Sequence, residues 1–152
     1  MMPETYGLRG RREALLPWTW ARRRLARAHN YWLATTRPDG RPHTMPIWAV
    51  WLDETLLFST ARRSRKGRNL DRRPQAVVHL ESGDQTVILE GRVREVRDPA
   101  VLERYAALYH AKYRFRPEAT GPANITYALV ARVGFAWRER DFPQSATRWR
   151  FA

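Results

Sequence analysis

Residues 41–52 read Arg-Pro-His-Thr-Met-Pro-Ile-Trp-Ala-Val-Trp-Leu, and their pattern decides the fold. Apolar residues stand at both parities. In an extended chain Ile47, Ala49 and Trp51 project to one side, and Trp48, Val50 and Leu52 to the other. Such a strand needs cover on both faces. A barrel interior supplies one cover, and a helix or a second subunit the other. Pro46 has no N–H for a ladder, so the strand is expected to bulge or run along an edge there, where a ligand can approach its backbone.

Outward from this run, the neighbours read as strands joined by tight turns. Residues 31–36 are aromatic and β-branched, and Arg37-Pro38-Asp39-Gly40 is a turn in which Pro38 pre-sets φ and Gly40 tolerates positive φ. Asp53-Glu54 turns the chain into a strand over 56–60. Ser64 then N-caps a short helix, its hydroxyl accepting from the N–H of Lys66 or Gly67, and Pro74 stops it after Arg72 or Arg73. Residues 76–80 and 86–96 make a second hairpin through Ser82-Gly83-Asp84, kinked at Gly91. Asp98-Pro99 opens a helix carrying Leu102, Tyr105, Tyr109 and Tyr113 at helical spacing. After a loop over 114–124, Tyr127, Leu129, Ala131, Val133, Phe135 and Trp137 alternate in a long half-buried strand, and a short strand near 147–151 closes the chain. Residues 17–29 allow an amphipathic helix opened by Pro17, and residues 1–11 read as a loose arm. The fold class is mainly β with a few helices: about six antiparallel strands in a closed or nearly closed barrel, one domain over 1–152.

Composition narrows the function. The chain has 152 residues, 43% hydrophobic and 28% charged, enough for one buried core. Its longest apolar run, 45–52, is far short of the roughly 20 residues that span a bilayer, and no apolar stretch resembles a signal peptide; the expectation is a cytoplasmic protein with no membrane partner. Without cysteine there is no thiolate zinc site, iron–sulfur cluster or cysteine nucleophile. His29, His43, His79 and His110 lack metal-ligand spacing, so no metal is expected. No nucleophile elbow, dinucleotide fingerprint or P-loop occurs. The net charge of +13 invites a nucleic-acid reading, but only Lys66 and Lys112 of the 28 cations are lysines, a skew that base composition produces as readily as phosphate binding. Aromatics on the strands alternate with alanine and valine more than with cations, which argues against an oligonucleotide-binding barrel.

The charge is also local. Between 62 and 73, Arg62, Arg63, Arg65, Lys66, Arg68, Arg72 and Arg73 face a single acid, Asp71. Arg65 and Lys66 fall in the first turn of the Ser64-capped helix, where cations oppose the macrodipole and N–H groups lack partners. An anion there would be met by backbone N–H groups, the Ser64 hydroxyl and two cations. A solvated, arginine-rich surface helix fits the same residues.

The order and spacing of Arg41-Pro42-His43-Thr44-Met45-Pro46-Ile47-Trp48, Phe58-Ser59-Thr60, Ser64-Arg65-Lys66-Gly67-Arg68-Asn69-Leu70 with Pro74, and Val87-Ile88-Leu89-Glu90-Gly91 resemble the pyridoxamine 5'-phosphate oxidase-like family over about residues 28–137. The resemblance implies a split β-barrel homodimer binding FMN or the deazaflavin coenzyme F-420 between subunits. It implies that Arg65 and Lys66, helped by Ser59, Thr60 and Ser64, hold the cofactor phosphate, and that backbone around Met45, Pro46, Ile47 and Trp48 meets the ring. Trp137, Arg148 and Trp149 would reach in from the partner subunit. Where pyridoxamine phosphate oxidases carry a substrate-binding lysine and an Arg-Gln pair, this chain has Ala49 and Gln85-Thr86, which points away from the vitamin B6 reaction. The C-terminal Ala146-Thr147-Arg148-Trp149-Arg150-Phe151 looks like the flavin/deazaflavin oxidoreductase branch. The implied activity is hydride transfer between F-420 (or FMN) and a small conjugated substrate, with no side chain identified as a general acid. A non-enzymatic cofactor-binding or sensing protein on the same barrel is the alternative, and a basic nucleic-acid-binding barrel is third.

Overall fold

The computed structural model of the chain describes residues 15–117 and 122–152; the loose arm expected over 1–11 lies outside them, as does part of the loop over 114–124. Helix α1 (Trp18–Arg27) leads into the hairpin β1 (Tyr31–Thr36) and β2 (Pro42–Ile47). Strands β3 (Val50–Leu52) and β4 (Thr55–Ala61) follow, then α2 (Arg65–Arg72), β5 (Gln75–Leu80), β6 (Gln85–Glu95), α3 (Pro99–Tyr113), β7 (Asn124–Arg138) and β8 (Thr147–Arg150). Every neighbouring pair in the sheet is antiparallel.

The sheet order is β2-β1-β5-β6-β7-β4-β3, with β8 beside the far half of β7, and the sheet curls into an open half-barrel. Its two ends, β2 and β3, are consecutive in the chain, and only Trp48 and Ala49 separate them. The described residues form eight strands, one more than the seven stretches read from the sequence, because the run over 42–52 divides in two at this point. Pro46 stays in register opposite Trp32, and β2 is an edge strand, the second of the two arrangements expected at the proline.

Local chemistry explains the turns. Gly40 takes φ of +89° and donates to the Arg37 carbonyl at 2.9 Å. Asp53 and Glu54 both have positive φ (50° and 57°), as a two-residue hairpin turn requires. Their carboxylates are tied down: both guanidinium Nη atoms of Arg104 grip Asp53 at 2.8 and 3.0 Å, and Arg22 and the Trp18 indole reach Glu54. Asp98 caps α3 by accepting from the Ala100 N–H at 2.9 Å, with Pro99 in the first turn. At the Glu90–Gly91 bulge in β6, a Cβ on Gly91 would sit 2.1 Å from the Val130 carbonyl oxygen, so only glycine fits that approach of β6 to β7.

Both faces of the decisive stretch are covered as the pattern demands. Ile47 and Ala49 join the barrel core with Leu25, Tyr31, Leu33, Phe58, Val78, Leu89 and Leu129. On the other side Val50 and Leu52 pack with Leu57, Val96, Leu102, Tyr105 and Ala128, so α3 is the outer cover. Met45 (41% exposed) and Trp48 (40%) remain partly open to solvent.

Candidate functional site

The start of α2 is built as one unit with the end of β4. Ser64 Oγ accepts from the Gly67 N–H at 3.0 Å and shares a 2.9 Å hydrogen bond with Thr60 Oγ1. The helix lies this close to the strand end because residue 67 is glycine: a Cβ there would meet the Ala61 and Arg62 carbonyl oxygens at 2.6 and 2.7 Å. This unit presents the first-turn N–H groups together with Arg65 and Lys66. Among the described residues neither side chain forms an ion pair. Lys66 is half-buried, and burial pulls its pKa below the ordinary lysine value.

His43 on β2 feels the same charges. Burial first, then Arg37, Lys66 and Arg65, hold its pKa below the usual imidazole value, and its Nδ1 is buried with no hydrogen-bond partner. Cations and an orphaned ring nitrogen therefore stand together with no anion to answer them. A phosphate on the α2 N-terminus would complete the set.

Beside this unit lies a cleft of about 330 Å³ lined by Asn30, Pro46, Ile47, Trp48, Ser59, Lys66 and Tyr109. The fold thus brings Pro46, Ile47, Trp48, Ser59 and Lys66 to one place, with Thr60, Ser64 and Arg65 adjoining through the cap. Met45 lies two residues before Ile47 on β2, on the same strand face.

The walls of the cleft are held from α3. Trp48 stacks flat on Tyr113 (ring centroids 4.5 Å apart, interplanar angle 3°) and donates through Nε1 to Asn30 Oδ1 at 3.2 Å. Tyr113 Oη accepts from the Ala49 N–H at 3.0 Å and lies 2.8 Å from the His29 carbonyl oxygen. Lys112 Nζ donates to the Ala49 carbonyl at 2.9 Å and to Tyr31 Oη at 2.7 Å. This clamp on both backbone groups of Ala49 takes them out of any ladder, which is why the strand breaks at 48–49. Lys112 has no acidic partner among the described residues, and burial pushes its pKa down to about 8.

Two hydroxyls in the cleft differ in what they can do. Ser59 Oγ is fixed by Tyr105 Oη at 3.0 Å and Thr126 Oγ1 at 2.8 Å. The Tyr109 hydroxyl has no hydrogen-bond partner among the described residues, and like any phenol at neutral pH it carries its proton and can donate; burial raises its pKa further. Sequence reasoning reads Tyr109 only as part of a core-facing stripe and passes over Asn30. The available signal is that Tyr105, Tyr109 and Tyr113 all carry hydroxyls, which a purely apolar packing face does not need.

Trp137 and Arg148 lie elsewhere in the chain. Neither lines the cleft; Trp137 stands on β7 opposite Thr86 of β6, and Arg148 on β8 opposite Phe135. Trp137 packs against Phe142 at 5.7 Å, and the Arg148 guanidinium lies 5.9 Å from the centre of the Phe135 ring. These two residues, expected from a partner subunit, are therefore not among those that this chain brings to the cleft.

Residues 21–138 match the family described as pyridoxamine 5'-phosphate oxidase. No curated protein sequence matches the chain. Among solved structures, a conserved hypothetical protein from Mycobacterium tuberculosis is 25% identical with a TM-score of 0.74, covering 87% of this chain and 91% of that one. An F420 reductase is 24% identical with a TM-score of 0.58 over 72% of this chain and 92% of its own. A heme binding protein from Mycobacterium smegmatis shares the fold at 15% identity and a TM-score of 0.71, over 86% of this chain and 56% of its own.

Proposed function

The chain belongs to the pyridoxamine 5'-phosphate oxidase family, and on that footing we propose that it binds coenzyme F-420, or else FMN, and passes a hydride between that cofactor and a small conjugated organic substrate. One observation carries the reading: a capped helix start bearing Arg65 and half-buried Lys66, neither paired with an acid among the described residues, opens directly beside a cleft. Arg65, Lys66 and the Thr60 and Ser64 hydroxyls would hold the phosphate, with Ser59 behind them, and the backbone of Met45, Pro46, Ile47 and Trp48 would lie against the ring. The bound cofactor supplies the hydride-transferring carbon.

The residues of the chain position and protonate. Lys112 and Tyr113 fix Ala49 and hence the backbone that meets the ring. Tyr109 keeps its proton and donates a hydrogen bond to the substrate atom on which negative charge develops. Ala49 stands where pyridoxamine phosphate oxidases use a lysine, and both its backbone groups are occupied, so the vitamin B6 reaction is not the one proposed. An F420 reductase among the structural neighbours and the cation excess over 62–73, suited to the anionic tail of F-420, favour the deazaflavin over FMN.

The same reading places the working site in a cytoplasmic homodimer. Exposed Met45 and Trp48 at the cleft mouth would meet the partner subunit, which would contribute its Trp137 and Arg148. None of the described helices is long and apolar enough to cross a membrane. Turnover tests the proposal: the protein with reduced F-420 should oxidise it when a conjugated enone is added. Cofactor binding without oxidation by any enone of a panel would leave a binding protein and remove the hydride-transfer reading.

A further inference from the structure

A second cleft, of about 540 Å³, opens between the C-terminal half of α1 and the β5–β6 hairpin. That size suits a small organic molecule. Its walls are rich in donors. Arg23 and Arg27 stand four residues apart on α1, hence on one face, and have neither an ion pair nor a hydrogen bond among the described residues. Arg24 between them is fixed in place: its guanidinium lies 3.6 Å over the Trp20 ring, and Nε and Nη2 both donate to Gln85 Oε1, at 2.8 and 2.6 Å. The acceptor is a neutral amide, so the charge stays unanswered; burial, then Arg138 and Arg27, lower the Arg24 pKa.

The neutral groups point to the same ligand chemistry. Asn30 spends its Oδ1 on the Trp48 indole, which leaves its amide donors. Ser82 Oγ accepts from the Asp84 and Gln85 N–H groups, which leaves its O–H. Glu81 is the one acid lining the cleft. An anion is what such a wall lacks. The cleft sits at a helix C-terminus, the negative end of the macrodipole, which disfavours a dianionic phosphate and offers none of the free N–H groups found at α2. A carboxylate, planar and singly charged, matches a guanidinium fork.

This cleft also adjoins the site beside α2. Asn30 lines both, and His29 packs edge-on against Trp48 at 5.6 Å. We infer that the α1/β5–β6 cleft is a carboxylate subsite continuous with the site beside α2, taking the carboxylate arm of an organic molecule whose ring portion lies against Trp48 and Tyr109. Calling that molecule a substrate or cofactor of hydride transfer rests on the proposed function; carboxylate binding does not.

Calorimetric titration with trimesate, a flat aromatic tricarboxylate, tests this. Arg23→Gln with Arg27→Gln should weaken trimesate binding at least tenfold, while Arg92→Gln with Arg94→Gln, an equal charge change on exposed β6 positions, should leave it within twofold. Equal weakening by both pairs, an unchanged affinity in the first pair, or no binding to the unaltered protein would each overturn the subsite. Titrating F-420 and FMN into the Arg23/Arg27 variant identifies the source of the carboxylate: loss of F-420 affinity alone assigns it to the tail of that cofactor, and retention of both assigns it to the substrate. Failure of the unaltered protein to bind either cofactor removes the hydride-transfer reading and leaves the trimesate comparison standing.

Discussion

Tyr109 is the residue whose role separates binding from chemistry. Its side chain lines the cleft, and its hydroxyl has no hydrogen-bond partner among the described residues, whereas the Tyr105 and Tyr113 hydroxyls are engaged with Ser59 and with backbone. Tyr109→Phe keeps the ring and removes only the donor. Turnover with reduced F-420 should fall by about a hundredfold, the lower end for loss of a positioned proton donor, while cofactor affinity, measured by titration, stays within about twofold. An unchanged rate would return the proton to solvent. Lys66 was legible in the sequence because its charge stands at a capped helix start, a conflict visible without a structure. Tyr109 was not, because in a one-dimensional pattern a half-buried tyrosine on a helical stripe looks the same whether its hydroxyl is satisfied or free.

The second and third helices each carry one decisive contact. At α2, Gly67→Ala gains helix propensity, about 1 kcal/mol, but places a methyl 2.6 Å from the Ala61 carbonyl oxygen and 2.7 Å from that of Arg62. Both obstacles are backbone, which cannot swing aside, so overpacking at about 1–3 kcal/mol prevails. The variant should unfold at lower urea and bind cofactor more weakly; an unchanged midpoint would mean that the helix shifts freely on β4. At α3, Lys112 has a folded-state pKa of about 8, below the ordinary value of 10.5, from burial. The unfolded chain therefore holds more protons between about pH 8 and 10, and this group's contribution to stability rises with pH across that window and is lost as pH falls through 8. Lys112→Met should flatten the stability–pH slope between pH 8 and 10 in denaturant titrations. A slope identical to that of the unaltered protein would show the ammonium to be well solvated. The clamp formed by Lys112 and Tyr113 also explains why the run over 42–52 is two strands: the residue pattern shows one continuous apolar stretch with an edge at Pro46, but contacts from residues more than sixty positions away decide where the backbone leaves the ladder.

For the whole molecule, the sequence pattern carried the architecture because each element is consistent at several levels. Two-parity burial at 47–52, turn chemistry at 37–40 and 53–54, and caps at Ser64 and Asp98 agree with one another, and the half-barrel follows. What the pattern hides is long-range: the division of the run over 42–52 into two strands, α3 as the outer cover, and the absence of Trp137 and Arg148 from the lining of the cleft. The phosphate end of the site lay in one contiguous motif and was readable; the ring and substrate walls are assembled from Asn30, Trp48 and Tyr109, which only the fold brings together.

The claim on which the account rests is that a phosphorylated ring cofactor binds at the start of α2. The measurement that tests it most directly is thermal unfolding with and without F-420 and FMN, for the unaltered protein and for Arg65→Ala with Lys66→Ala. At a ligand concentration 100 times its dissociation constant, binding stabilises the folded protein by about 2.7 kcal/mol. The account predicts that stabilisation with F-420, more than with FMN, and its loss in the double variant at the same ligand concentration, since each charge-assisted phosphate contact contributes roughly 1.5–3 kcal/mol. Equal stabilisation of both proteins would move the phosphate elsewhere, and stabilisation by neither cofactor would contradict the central claim.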